Sequence, residues 1–185
     1  MAARTLWTVG HSTRDWAAFV KLLQAWKIDQ VIDVRTVPRS RAFPQFEKSR
    51  MKTALPKAGI AYEHLPALGG LRHARKNSPN AGWHNASFRG YADYMQTPEF
   101  AEGLKTLNRR RTQRRVAILC SEAVWWRCHR RMIADAELAR RIPVRHIMTE
   151  KTATPHALTE FARIRRKRGR PPVITYPSPR VEPLT

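Results

Sequence analysis

The sequence predicts a single α/β domain: a mostly parallel sheet of about five strands, helices on both faces, Rossmann-like in plan. Two observations predict it. Short apolar runs alternate along the chain with longer segments whose apolar residues recur at helical spacing. Several of those runs end on polar or turn-forming clusters, as strands of an open sheet do where they face a ligand. No internal repeat interrupts the alternation.

Leu6 to Val9 reads as the first strand and Gly10-His11-Ser12-Thr13 as a tight turn. Ser12 and Asp15 have the spacing of a helix-start capping pair. Trp16, Phe19, Val20, Leu22, Leu23 and Trp26 then repeat with helical period. Val31 to Val34 is a buried-type strand. A Pro/Arg-rich loop, Arg35 to Phe46, and a helix to Ala58 follow, with Pro56 or Gly59 as its stop. Ile60 to Leu65 is a third strand, and a long polar loop runs from Leu68 to Ser87. Phe88 to Met95 and Pro98 to Leu107 read as helices, the second with Thr97 as N-cap and Pro98 at its first position. Val116 to Cys120 is the fourth strand, Val124 to Arg140 a helix, Pro143 to Met148 a fifth strand and His156 to Arg165 a last helix. The α/β domain is expected over residues 1–150. Residues 151–185 are expected to hold the C-terminal helix and a basic, Pro-rich tail, extended or disordered after Pro171.

The chain of 185 residues is 42% hydrophobic, enough for a core. Its 35 Lys plus Arg against 14 Asp plus Glu give a formal charge of +21, the footprint of a protein that meets polyanions. The cations are clustered. Arg109, Arg110, Arg111, Arg114 and Arg115 form one strip, and Arg165, Arg166, Lys167, Arg168 and Arg170 lie in a second; both are candidate nucleic-acid contacts. No apolar run approaches the roughly 20 residues that span a membrane. Met1-Ala2-Ala3-Arg4 runs straight into the first strand without a signal-peptide pattern. With only Cys120 and Cys128 as cysteines, a reducing, cytoplasmic setting with free thiols is expected.

The densest chemistry lies in Val116 to Met132, where a thiol, a carboxylate, an imidazole and several guanidiniums follow one strand. Open α/β sheets place ligands beyond the carboxyl ends of their strands. Four loops should therefore meet: Gly10, His11, Ser12 and Arg14; Arg35 with Pro38, Arg39, Ser40 and Arg41, just after Asp33; Leu68, Gly69, Gly70, Leu71 and Arg72; and Cys120, Ser121 and Glu122. Helix N-termini near His11-Ser12 and after Glu122 would offer N–H groups to an anion. The arginines would add bidentate donors for phosphate. Gly69-Gly70 would let backbone approach a ligand. Cys120, Glu122 and His11 are the candidate catalytic groups, with Cys120 expected to carry a lowered pKa at a helix N-terminus.

Each residue also has a plain structural reading. Cys120 is then a small buried hydrophobe, Asp33 and Arg35 an ion pair, Gly69-Gly70 a turn, Trp125-Trp126 core and Arg127, Arg130 and Arg131 a solvated helix face. No metal is expected, because Cys-x7-Cys-His fits no familiar zinc spacing and adjacent helical residues point about 100° apart. A phosphatase-type loop fits poorly too: Arg127 comes one residue late, the loop lacks glycine and Glu122 opposes an anion. Tyr91 and Asp93, on the segment Phe88 to Met95, would join the pocket rim if that helix covers the loop edge.

Five segments carry a resemblance: TVGHST at Thr8 to Thr13, DVRTVPRSR at Asp33 to Arg41, GIAYEHLPALGGLR at Gly59 to Arg72, FRGYADYM at Phe88 to Met95 and LCSEAVWWRCHR at Leu119 to Arg130. Together they resemble the domain of unknown function 488 family over about Thr8 to Met148. Ser121 stands where that family usually has alanine. The resemblance implies that Gly10, His11, Ser12, Asp33, Arg35, Pro38, Ser40, Gly69, Gly70, Tyr91, Cys120, Glu122, Cys128, His129 and Arg130 form a site. It supplies neither substrate nor cofactor.

Three functions compete. The first is an enzyme acting on a nucleotide, nucleoside or nucleic acid through a phosphate-binding pocket, by hydrolysis or transfer. The second is a nucleic-acid-binding accessory protein. The third is a cysteine-dependent sulfur-transfer or redox enzyme, with Cys120 attacking and Cys128 resolving.

Overall fold

A computed structural model of the protein describes residues 5–178. Met1 to Arg4, on which the expectation of no signal-peptide pattern rests, and the end of the tail, 179–185, lie outside the described residues.

The alternation is realised as a six-stranded sheet. Its strands are β1 (Leu6–Gly10), β2 (Gln30–Asp33), β3 (Ala61–His64), β4 (Val116–Cys120), β5 (Val144–Ile147) and β6 (Ala153–Pro155). The order is β3-β2-β4-β1-β5-β6, with four parallel pairings and an antiparallel one between β5 and β6. Helices α1 (Trp16–Ala25) and α2 (Lys48–Lys57) cover one face; α3 (Ala86–Tyr94), α4 (Pro98–Gln113) and α5 (Arg130–Ala139) cover the other. The strand period of two divides the core accordingly. Val116 and Ile118 of β4 face α4 and α5, whereas Ala117 and Leu119 face α1 and α2.

Adjacent β1 and β4 send their chains opposite ways, β1 across β4 to β2 and β4 across β1 to β5. A crevice opens where such neighbours diverge. Above it the β1–β4 ladder continues past both strands: His11 N–H donates to the Cys120 carbonyl at 3.1 Å and Ser12 N–H to that of Ser121 at 2.9 Å. Those amides are consumed, so they are not open to an anion. Asp15, not Ser12, caps α1, accepting from Ala18 N–H at 2.7 Å.

Two helix expectations are overturned. Val124 to Arg140 is not continuous: Trp125–Arg127 form a 3-10 turn, Cys128 is extended and α5 begins at Arg130. His156 to Arg165 is not helical either. It is a loop leading into β7 (Arg163–Arg165), which pairs antiparallel with β8 (Val173–Thr175). The reason is a buried carboxylate. Asp135 accepts from His156 Nε2 at 2.9 Å, Thr159 N–H at 3.0 Å, Thr159 Oγ1 at 2.7 Å and Tyr176 Oη at 2.9 Å. The relay continues from His156 Nδ1 to His146 Nε2 at 3.0 Å and from His146 Nδ1 to Thr8 Oγ1 at 2.7 Å. Thr159 spends its backbone N–H as well as its hydroxyl on Asp135, and His156 N–H goes to the Val144 carbonyl, so these amides are held by the buried carboxylate and the sheet.

Tyr176→Phe is therefore expected to lower stability by about 1.5–3 kcal/mol, one hydrogen bond to a carboxylate. The urea midpoint with unchanged m-value checks this; a change below about 0.5 kcal/mol, the range of an ordinary surface substitution, would contradict it.

Candidate functional site

Beyond the carboxyl ends of β1, β2 and β4 lies a pocket of about 790 Å3. Its floor is Cys120, Cys128 and His129; Ser12, Ser40, Arg39, Glu122 and Arg127 supply polar walls; Phe43, Phe88, Val37 and Leu71 are the large apolar groups. Val37 and Leu71 are 57% and 73% exposed, two of the few large hydrophobics left in water.

The arginines divide differently from expectation. Arg35 is 5% exposed and its fork is spent internally. Nε and Nη2 bind the two oxygens of Asp33 at 2.9 and 2.6 Å, Nη2 also reaches the Phe46 carbonyl, and Nη1 meets His11 Nε2 at 3.2 Å. Tyr62 Oη adds a bond to Asp33 at 2.8 Å. Arg35 is a positioning group, as the ion-pair reading had it. Arg130 is buried, donating from Nε to Cys128 Sγ at 3.4 Å and from Nη2 to the Glu122 carbonyl at 2.5 Å. Arg72 bonds the Gly69 and Pro66 carbonyls and lies over the Tyr94 ring at 3.6 Å. Arg41 is exposed but does not line the pocket. The guanidiniums on the pocket wall beyond Arg35 are Arg39, which belongs to the loop expected there after β2, and Arg127, which the sequence reading leaves on a solvated helix face.

The glycines serve packing rather than ligand approach. A Cβ on Gly70 would stand 2.6 Å from His129 Nδ1, one on Gly69 2.5 Å from Thr36 Oγ1, and one on Gly10 would collide with the Glu122 carbonyl. Tyr91 is buried away from the rim, donating to the Leu68 carbonyl at 2.9 Å and packing on the His129 ring. Asp93 faces the loop instead, accepting from Arg75 N–H, Ser78 and Asn80. Pro38 is buried and Ser40 Oγ accepts from Phe43 N–H at 3.0 Å.

His11 is 2% exposed, with Nδ1 on the Ser12 carbonyl at 2.9 Å, Nε2 on Arg35 and its ring stacked on Phe46 at 4.2 Å. Burial, with the Arg35 charge beside it, lowers its pKa to about 4. Both nitrogens are occupied, which leaves no lone pair for proton transfer in this arrangement. Glu122 is the exposed carboxylate on the pocket wall.

The floor departs most from expectation. Cys120 is not the activated thiol: its hydrogen bond with Cys128, and then burial, push it up to about 12. Burial opposes ionisation of Cys128 as well, but the Cys120 bond and the Arg130 cation outweigh it and bring Cys128 down to about 6. The geometric argument against a metal also fails. Cys128 and His129 precede α5 and do not share its helical splay, so both side chains turn toward Cys120. These three residues are the donors that could hold an ion. Trp125 fixes the turn above them by stacking on His146 at 4.1 Å and 4°.

The basic strips lie at the other edge of the sheet. Helix α4 ends just before β4 begins, and Arg166 Nη2 donates to the carbonyl of Ala139, the last residue of α5. Arg110 is paired with Glu63 at 2.7 Å, Arg111 is buried with Nε on Asn108, and Arg115 Nε bonds the Trp26 carbonyl. Arg109, Arg114, Arg165, Lys167, Arg168 and Arg170 are exposed.

Residues 15–137 match the model of the family described as domain of unknown function DUF488. The chain belongs to that family. The match takes in the Asp33, Gly59, Phe88 and Leu119 segments, and the Thr8 to Thr13 segment precedes it. No curated protein and no solved structure matches the chain. Among the described residues, no helix is long and apolar enough to cross a membrane.

Two outcomes test this geometry. His11 and His146 both have lowered pKa values, the second through burial and the neighbouring His156, so the unfolded chain takes up protons that the folded chain refuses. Stability should fall as pH drops from the ordinary histidine value of 6.5 toward 4, less steeply in His11→Asn. A urea midpoint flat across that window would contradict it. In the reduced protein with EDTA, iodoacetamide should modify Cys128 before Cys120, with a rate rising through about pH 6. Peptide mass spectrometry showing Cys120 modified first would contradict the assignment.

Proposed function

We propose that the protein is an enzyme acting on a nucleotide-class substrate, with the cysteine–histidine floor as its reaction centre. The observation that carries this reading is one pocket that joins a reactive floor, a free carboxylate and two wall guanidiniums to an apolar mouth. Arg39 and Arg127 line this pocket, and guanidiniums suit a phosphate as bidentate donors. Phe43, Phe88, Val37 and Leu71 suit a flat apolar ring such as a base. Glu122 would act in proton transfer, by hydrolysis or group transfer.

A second reading keeps support from a different surface. The exposed cations Arg109, Arg114, Arg165, Lys167, Arg168 and Arg170 lie toward the edge opposite the pocket, across a sheet roughly 16 Å deep for five-residue strands. A nucleic-acid backbone held there would be bound independently of the pocket.

Calorimetric titration with a mononucleotide, its nucleoside and a short oligonucleotide separates the readings. The mononucleotide should bind, and the Arg39→Ala/Arg127→Ala pair should weaken it by about 10–100-fold, the loss of charged hydrogen bonds. Glu122→Gln should retain that binding and lose turnover. If only the oligonucleotide binds, with log K falling by about 0.7–0.9 per log salt for each phosphate and no effect of the pocket variants, the accessory reading replaces the enzyme.

A further inference from the structure

Three soft donor atoms converge on one point of the pocket floor. His129 Nδ1 lies 3.6 Å from Cys128 Sγ and 4.0 Å from Cys120 Sγ, and all three atoms lie within 4.8 Å of one another. A tetrahedral ion with Zn–S bonds of about 2.3 Å and a Zn–N bond of about 2.0 Å needs S···N separations of about 3.6 Å and an S···S separation of about 3.8 Å. The nitrogen–sulfur pairs meet their value with shifts of a few tenths of an ångström, and the two sulfurs, within 4.8 Å of each other, close by at most about 1 Å on binding.

The surroundings are arranged for ligation. His129 Nε2 stands 3.0 Å from the Val34 carbonyl at the end of β2, which can only accept. That bond places the proton on Nε2 and leaves the Nδ1 lone pair aimed at the sulfurs, the outer-shell arrangement of metal-bound histidines. Tyr91 packs on the ring, and the missing side chain of Gly70 gives it room. Arg130 Nε donates to Cys128 Sγ, so a cation already stands behind one ligand. A disulfide would use the two sulfurs and leave this imidazole facing them with its lone pair unused.

We infer that Cys120, Cys128 and His129 bind a zinc-class divalent ion, with the fourth coordination position open to the pocket. Two thiolates and an imidazole select a borderline-soft ion over magnesium or calcium. The thiolates balance its charge, and a thiol proton still held in the empty site is released on binding. Three protein ligands with an open position are the pattern of catalytic rather than structural zinc. An ion there would polarise a bound water, and Glu122 lines the same pocket. The openness of that position rests on the pocket reading above; ion binding does not.

The test uses the full chain, reduced, stripped with a chelator and refilled with zinc or cobalt(II). About one ion per chain should be retained, and the cobalt form should show a near-ultraviolet thiolate-to-cobalt charge-transfer band with tetrahedral d–d bands. Cys120→Ser and His129→Gln, checked for native circular dichroism, should each lose more zinc affinity than the about 10–100-fold typical of outer-shell changes. Gly70→Ala should fall within that range, and Glu122→Gln should retain the ion. A wild-type chain without the charge-transfer band, or a folded Cys120→Ser variant with full zinc affinity, overturns the inference. These readouts need no substrate. An ion bound without any pocket ligand sinks only the proposed function, and mononucleotide binding without a cobalt band sinks only the metal site.

Discussion

The buried ion pair between Asp33 and Arg35 is the constraint on which the site depends. Asp33 ends β2 fully buried, and a lone carboxylate there would cost several kcal/mol. Its partner is two residues on, on the same side of the extended chain end. From there Arg35 collects the Phe46 carbonyl, His11 and, through its own carbonyl, His64 at 2.9 Å. One residue thereby fixes the loops after β1 and β2 and the end of β3 relative to one another. Between the paired residues, Val34 N–H bonds the Leu119 carbonyl and the Val34 carbonyl meets His129. The strand end that holds the ion pair also orients the floor imidazole.

Arg130 plays the matching part on the other side. From the start of α5 it reaches the Glu122 carbonyl and Cys128 Sγ, closing the loop after β4. Gly10 leaves the space that this closure needs. Trp125, stacked on the neutral His146, ties the same loop to the relay that ends at Asp135. The consequence is a division of labour among cations. Around the pocket, those that hold the scaffold, Arg35 and Arg130, are buried and bonded internally, and the exposed ones on its wall are Arg39 and Arg127.

The sheet was legible in the sequence because its strands are apolar runs with few competitors, and Thr97-Pro98 marked the start of α4 where it occurs. The loop residues of β1, β2 and β4 were legible because strand ends of open sheets converge. What failed was local periodicity against long-range polar bonds. Met132 to Ala139 is helical, but extending it back to Val124 ignored Trp125 and Arg130, whose partners lie elsewhere. His156 to Arg165 has helix-compatible spacing, yet His156 and Thr159 answer to Asp135. The available signal was polarity in apolar places: His146 inside a strand and Asp135 on the buried face of α5. The arginines misled for the opposite reason, since a list of cations does not say which already have partners.

The central claim is that folding presents a bare His129 Nδ1 to two thiols at the floor of the pocket. Long-range proton–nitrogen correlation on histidine-labelled protein reads this directly. The account predicts a His129 ring that carries its proton on Nε2, with an unprotonated Nδ1. A ring that carries a proton on Nδ1 would contradict it.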